Sequence, residues 1–254
     1  MNNQSNSNSS KAPLIIIGVV LLAAVAGGWW FYSQSKAGSK PANANRAANA
    51  GRQPATTNVQ GATPPHLLGS PTAAVTVEEF ADYQCGACAL VHPRMKEIVS
   101  TYGSRIKFIY RNYPLPSHDK AYDMAVAAEA AGLQGRFWDM QNLIFTNQQA
   151  WVTSANHRQM LEEYAQKIGL DVERFKSDMA STMAKQRVDA DLARGRALNV
   201  RSTPSIYING YSIPYEQMRV DVLRQIIDAE LQKTTAATTP APASAVNSAA
   251  NANE

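Results

Sequence analysis

Two cysteines, Cys85 and Cys88, are the residues of this 254-residue chain whose spacing most clearly points to chemistry, and no other cysteine is present. They follow a predicted strand that ends near Phe80 and begin a predicted helix over 85–102. Cysteines at i and i+3 of a first helical turn have Cα atoms about 5 Å apart, which is within reach of a disulfide. Free backbone N–H groups at the helix start favour a Cys85 thiolate, whereas Cys88 should be more buried and less acidic. This asymmetry is typical of thiol–disulfide exchange, in which Cys85 reacts and Cys88 resolves the mixed disulfide.

Three other interpretations of the pair remain open. The cysteines could be inert core residues, or they could form a fixed structural disulfide. They could also bind copper or zinc together with His92, which follows Cys88 by four residues. A structural zinc site requires four ligands, and the chain has no second cysteine pair, so exchange is the favoured chemistry.

The surrounding pattern predicts an α/β sheet that carries a helical insertion. Strands over 74–80 and 106–110 flank the helix and form a βαβ unit with parallel strands. The next residues, about 117–199, have helical periodicity, and we assign Met160, Met179 and Met183 there to the core. Two short strands then flank Asn209-Gly210, which is a strong hairpin signal, and an amphipathic helix over 218–231 closes the domain. On α-helical spacing, Leu90 joins the apolar stripe of the first helix.

The segment from Glu79 to Cys88, followed by His92-Pro93, resembles the active-site segment of the thioredoxin superfamily. More narrowly, it is similar to membrane-anchored DsbA-like thiol–disulfide oxidoreductases of the bacterial cell envelope. Thr203-Pro204, before a predicted strand, matches the cis-proline loop of that family, and 135–145 resembles its helical insertion. The resemblance implies a thioredoxin-like fold over 73–233, with the insertion at about 117–199.

The resemblance also implies roles for individual residues. Glu79 would be the buried acid that exchanges a proton with Cys88, and Pro93 would bend the active-site helix. Thr203 and Pro204 would bind an extended substrate segment beside the cysteines. Two alternatives stay open: Glu79 could be a surface acid, because only one of Glu78 and Glu79 is expected to point inward, and Pro204 could be an ordinary trans proline.

The dipeptide between the cysteines departs from the strongest oxidants of the family. Gly86-Ala87 stands where those proteins have Pro-His, so we expect a weaker oxidant, and a disulfide isomerase or reductase is the alternative function. Such a protein needs no organic cofactor and no metal. Its expected partners are thiol- or disulfide-containing proteins and a membrane redox partner, either a quinone-linked oxidase or a thiol reductant.

A 21-residue uncharged run, Ala12–Tyr32, follows a polar segment over 1–11 and predicts a single transmembrane signal-anchor. A cleaved signal peptide is the alternative, with Ala24-Val25-Ala26 as its site, but the apolar run continues to Phe31. Lys36 and Lys40 after the span against Lys11 before it would favour a cytoplasmic domain. The redox chemistry favours the opposite orientation, with the domain on the periplasmic side of the inner membrane.

The remaining composition predicts linkers and excludes one class of partner. Residues 33–72, rich in Ala, Asn, Ser and Pro, predict a flexible linker, and 234–254 predict a disordered tail. The net charge of +4 arises from residues 1–72, which have five basic residues and no acid. Residues 73–233 hold 19 basic and 19 acidic residues, so the predicted domain has no basic excess for nucleic acid.

Overall fold

The computed structural model describes residues 54–238, which form one mixed five-stranded sheet with helices on both faces. The elements in chain order are β1 (His66–Gly69), β2 (Val75–Ala81), α1 (Gly86–Tyr102), β3 (Ile106–Asn112), α2 (Ala121–Gly132), α3 (Phe137–Thr146), α4 (Gln148–Thr153), α5 (His157–Lys167), α6 (Val172–Ala180), α7 (Thr182–Ala197), β4 (Ser205–Ile208), β5 (Tyr211–Ile213) and α8 (Val220–Thr238). The strand order is β1-β3-β2-β4-β5.

The predicted βαβ unit and hairpin are confirmed. β2 and β3 are parallel neighbours, with Val75 opposite Ile106, and β4 pairs antiparallel with both β2 and β5. The turn between β4 and β5 is Asn209-Gly210, and both residues have positive φ, 48° and 82°. The six helices α2–α7 follow β3, as expected for the helical insertion at about 117–199.

Both faces of the sheet are covered, because α8 packs on α1 while α7 packs on β3 and α2. This arrangement buries both neighbours in β2: Glu78 is 6% exposed and Glu79 is 3% exposed. The expectation that only one of the two acids points inward was therefore wrong. In a strand with helices on either side, alternate side chains are both buried.

The prediction of a flexible linker over 33–72 was wrong for the residues from 54 onward. β1 pairs with β3, and residues 54–65 lie against the domain. The Arg111 guanidinium donates to the carbonyls of Gln60 and Ala62, and the Asp191 carboxylate accepts from the Ala62 N–H. The sequence signal was missed because backbone groups, rather than large apolar side chains, attach this segment. At the other end, α8 extends to Thr238, five residues into the predicted tail.

Buried charges on the α7 face form one network. Arg111 pairs with Glu78 at 2.8 Å and with Asp191 at 3.0 Å, and Arg194 pairs with Glu78 at 2.7 Å. The two arginines lower the pKa of Glu78 despite the opposing effect of its burial. Burial raises the pKa of Asp191 to about 6, although Arg111 opposes this rise.

Two apolar residues predicted in the core are exposed. Leu90 is 61% exposed, because the buried face of α1 is set by Val91, Met95 and Ile98, and Leu90 lies about 100° away from Val91 around the helix. Met183, in the first turn of α7, is 58% exposed, whereas the next residue, Ala184, is buried.

The predicted span Ala12–Tyr32, the segment 1–11 and most of the predicted linker lie outside the described residues, as does the tail beyond Thr238. Within 54–238, no helix combines the length and the hydropathy that crossing a bilayer requires.

We predict that replacing Asp191 destabilises the domain. Asp191→Ala leaves Arg111 and the N–H groups of Ala62 and Asn112 without their buried acceptor. The expected loss is about 3–5 kcal/mol in the free energy of unfolding, measured by urea denaturation. Asp189→Ala is the control, since that exposed carboxylate bonds only the Tyr122 hydroxyl, and it should cost below about 1 kcal/mol. Equal losses in both variants would contradict the assigned role of the network.

Candidate active site

Cys85 occupies the N-cap of α1, with φ −72° and ψ 118°, directly after the turn that leaves β2. Both cysteines are free thiols; Cys85 is half-buried and Cys88 is fully buried. A residue at the N-cap faces the unpaired backbone N–H groups of the first helical turn. The local order of strand, turn and helix thus presents one sulfur to solvent and places the other beneath it, as the spacing predicted.

The environment of Cys85 lowers the pKa of its thiol to about 5. The largest cause is the Cys88 thiol, which donates a hydrogen bond to the Cys85 sulfur, and burial opposes this effect. The side chain of Thr203 and the backbone N–H groups of Cys88 and Ala87 lower the pKa further. An anion on Cys85 is therefore stabilised by donors that are already in place.

Thr203 and Pro204 lie beside Cys85, and the peptide bond between them is cis, as the family resemblance implied. In the thiol form, the Cys85 S–H donates to the Thr203 carbonyl at 3.3 Å. The Thr203 hydroxyl is buried and has no hydrogen-bond partner among the described residues. This hydroxyl can donate a hydrogen bond to the Cys85 sulfur when that sulfur is ionised.

Cys88 has the opposite environment, because burial raises the pKa of its thiol far above the ordinary value. The hydrogen bond and charge of Cys85, and the charge of Glu79, raise the pKa of Cys88 further, while the Asp82 N–H opposes them and lies 3.5 Å from the Cys88 sulfur. Burial likewise raises the pKa of Glu79 to about 8. The structure thus places a carboxyl that holds its proton near neutral pH close to the buried sulfur.

Asp82 is a residue of the site that the sequence analysis missed. Its carboxylate is buried and accepts hydrogen bonds from the backbone N–H groups of Gln84 and Cys85, at 2.7 and 3.2 Å. The other oxygen accepts from the Leu115 N–H at 2.7 Å and pairs with His118 Nδ1 at 2.8 Å. Asp82 therefore fixes the turn that presents Cys85. An aspartate directly after a strand, two residues before a free N–H, is an Asx-turn signal that could have indicated it.

Gln148, the first residue of α4, is a second missed residue. Its Nε2 donates to the carbonyls of Tyr83 and Cys85, at 2.6 and 3.0 Å. The helical insertion is thereby hydrogen-bonded to the active-site turn. No local pattern links position 148 to position 85, so the sequence alone could not reveal this contact.

His92, the proposed third metal ligand, is buried and engaged elsewhere. Its Nε2 lies 3.2 Å from the Asn142 side-chain oxygen, and its ring stacks on Phe145 with centroids 4.8 Å apart. Burial also lowers the pKa of His92. Within the part of the chain that the structure describes, no group of three or more His, Cys, Asp or Glu side chains could hold a metal ion.

We predict that the donor on Cys88 controls the ionisation of Cys85. Cys88→Ala removes the largest cause of the lowered pKa, so the apparent pKa of Cys85 should rise by at least one unit, measured from thiolate absorbance against pH. Cys88→Ser is the matched control, since its hydroxyl still donates, and its Cys85 pKa should stay near the wild-type value. A common pKa in the alanine and serine variants would contradict the assignment.

We further predict that the neighbouring acids Glu78 and Glu79 have opposite effects on stability. The pKa of Glu79 is about 8 in the folded chain against an ordinary value of 4.5, so its burial costs stability as the pH rises from 4.5 to 8. Glu79→Gln should match the wild type below pH 4.5 and exceed it at pH 8 by on the order of 3–5 kcal/mol in urea unfolding. Glu78→Gln should lose stability at neutral pH, because the paired carboxylate has a lowered pKa. A stability gain in Glu79→Gln that does not change with pH would contradict this prediction.

Solved structures with this fold include several disulfide oxidoreductases. The oxidised BdbD protein of Bacillus subtilis matches with a TM-score of 0.59 and 23% identity, over 68% of this chain and 98% of that one. The thiol-disulfide exchange protein alpha-DsbA2 of Wolbachia pipientis matches with a TM-score of 0.56 and 19% identity, over 66% of this chain and 87% of that one. At such identities, the similarity establishes the fold.

Curated relatives share sequence over part of their length. Na(+)/H(+) antiporter NhaA 1 of Mycolicibacterium gilvum is 34% identical over 148 residues, and the antiporter NhaA of Herminiimonas arsenicoxydans is 34% identical over 145. The matched segment is 57% of this chain in both cases but only 23% and 22% of those relatives. The chain therefore spans less than a quarter of the length of these proteins.

A family model described as thioredoxin matches residues 62–229, which is well over half of the chain. Its first matched residue, Ala62, precedes β1, so the family domain begins earlier than the predicted residue 73. The chain belongs to the thioredoxin family, and its fold is that of the DsbA-type thiol–disulfide oxidoreductases.

Proposed function

We propose that the domain is a protein thiol–disulfide oxidoreductase whose reactive groups are Cys85 and Cys88. The observation that carries this proposal is the opposite shift of the two sulfurs: the pKa of Cys85 is lowered to about 5, and the pKa of Cys88 is raised. The thiolate is the nucleophile and the better leaving group in exchange, so the two sulfurs have different parts in one reaction.

Oxidation of a substrate dithiol proceeds in two exchanges. A substrate thiolate attacks the Cys85 sulfur of the Cys85–Cys88 disulfide, the S–S bond breaks, and Cys88 leaves with the electron pair. Because the buried Cys88 has a raised pKa, its thiolate takes up a proton, which the neighbouring Glu79 carboxyl holds near neutral pH. The second substrate thiolate attacks its partner sulfur and expels Cys85 as a thiolate. The substrate is oxidised by two electrons, and the enzyme is left as a dithiol.

The low pKa of Cys85 favours oxidation over reduction of substrates. A stabilised thiolate stabilises the reduced enzyme, and a pKa near 5 lies between those typical of thioredoxin and of DsbA, about 7 and about 3.5. We therefore place the reduction potential between roughly −270 and −120 mV, the values of those two proteins. Isomerase or reductase activity is the alternative, and a potential at the thioredoxin end would support it.

We also propose a class of substrate and a cellular location for the domain. We propose that Thr203 and Pro204, beside Cys85, bind an extended segment of a substrate protein, as the family resemblance implies. We propose that Ala12–Tyr32 anchors the chain in the inner membrane with the domain on the periplasmic side, where disulfides persist. A membrane redox partner, quinone-linked or thiol-based, would return the Cys85–Cys88 pair to its starting state.

We predict that Cys85→Ser abolishes both dithiol oxidation and insulin reduction, since no other cysteine can replace it. Cys88→Ser should instead accumulate mixed disulfides with substrate proteins, because the resolving sulfur is absent. Electrophoresis of the trapped species from intact cells, without reductant, would identify them, and an impermeant thiol reagent applied first should block trapping if the domain faces outward. Turnover by Cys85→Ser would refute the proposed chemistry, and trapping that resists the reagent would refute the orientation.

A further inference from the structure

A cavity of about 480 Å³ opens beside the active-site helix, at the edge of the sheet formed by β1 and β3. Its walls are mostly apolar and include Leu68, Met95, Val99, Phe108 and Trp138. The rings of Phe108 and Trp138 have centroids 6.0 Å apart and planes inclined by 39°. A cavity of this volume with aromatic and aliphatic walls is in the range that small-molecule ligands occupy.

Glu79 lines the same cavity, and its carboxyl makes no hydrogen bond with residues 54–238. The residue is 3% exposed, and none of the hydrogen bonds within the described chain involves its side chain. Buried polar groups in native proteins are normally hydrogen-bonded. A buried carboxyl without a hydrogen bond lowers the stability of the fold, and a ligand that donates to it would recover part of that loss. The cavity is where such a donor can enter.

The two charged residues that line the cavity besides Glu79 are exposed to solvent. The Lys96 ammonium donates to the Asn142 side-chain oxygen at 2.7 Å, and Asp139 pairs with Arg136 at 3.0 Å. Because water screens exposed charges, the apolar walls rather than Lys96 or Asp139 select the ligand. The polarity of the ligand is set by Glu79, whose oxygens accept a hydrogen bond whether or not the carboxyl is ionised.

We propose that this cavity binds a neutral, ring-containing small molecule whose N–H or O–H group donates to the Glu79 carboxyl. Planar rings suit the inclined aromatic walls, and the thioether of Met95 packs well against them. Neither cysteine nor Thr203 lines the cavity, so it is distinct from the surface where a substrate segment would bind. The cavity shares Glu79 with the proposed exchange reaction, but binding of the ligand does not require that reaction.

The test uses 6-fluoroindole and 6-fluoro-1-methylindole, which share the ring system and differ in the donor N–H. Fluorine NMR of the probe gives affinity for the full chain, and methyl signals of ¹³C-labelled methionine locate it. The Met95 signal should move and that of Met183, exposed on α7, should not. The probe with the N–H should bind about tenfold more tightly, as one hydrogen bond to a buried group provides.

Four variants make the test specific. Val99→Trp fills the cavity and should abolish the Met95 response, and its melting temperature and exchange activity show whether the fold is kept. Glu79→Leu should bind both probes equally, whereas Glu79→Gln keeps an acceptor oxygen and should keep the preference. Cys85→Ser should bind like the wild type, so failure of the redox proposal and failure of this one are separable. An unmoved Met95 signal at millimolar probe, or equal affinities for the two probes in the wild type, would overturn the proposal.

Discussion

The properties of the candidate active site depend on a difference in burial between the sulfurs of Cys85 and Cys88, which are three residues apart. Cys85 ends a turn, and Cys88 begins the buried face of α1. The same short segment therefore stabilises a thiolate at Cys85 and disfavours one at Cys88. Hydrogen bonds fix the turn that produces this difference. The carboxylate of Asp82, within the turn, accepts from two of its N–H groups, and Gln148 of the insertion donates to two of its carbonyls. The insertion thereby supports the reactive sulfur through backbone contacts rather than through chemistry of its own.

Buried acids in the described chain divide into two kinds. Five of them accept several hydrogen bonds each and bind separate segments of the chain together: Glu78, Asp82, Glu129, Asp191 and Glu230. Glu79 accepts none within residues 54–238. A carboxylate that accepts hydrogen bonds from several segments joins those segments, so the five paired acids have a structural role. Burial raises the pKa of Glu79 to about 8, so this acid can supply the proton that Cys88 takes up in the proposed exchange.

Local patterns predicted most of the sheet and the reactive pair. Alternation predicted β2, the Asn209-Gly210 signal predicted the hairpin, and the Cys85–Cys88 spacing predicted the asymmetry of the two thiols. The contacts that the sequence analysis did not predict join residues that are far apart along the chain. The segment before β1 is held by arginines about fifty residues or more away along the chain, and Gln148 reaches the active site across 63 residues. Such contacts leave no periodicity in the sequence, because each is a single side chain meeting a backbone group. The family resemblance, by contrast, supplied Thr203-Pro204, whose cis bond no local pattern specifies.

The segment before β1 follows the strand that leads to the active site. The Ala55 N–H donates to the Gly210 carbonyl, and Gly210 follows Asn209, which bonds Thr76 at the start of β2. The carbonyls of Gln60 and Ala62 accept from Arg111, which lies opposite Phe80 at the other end of β2. The segment is thus joined to the domain at both ends of β2, and its second attachment lies at the end of the strand from which the chain continues to Cys85.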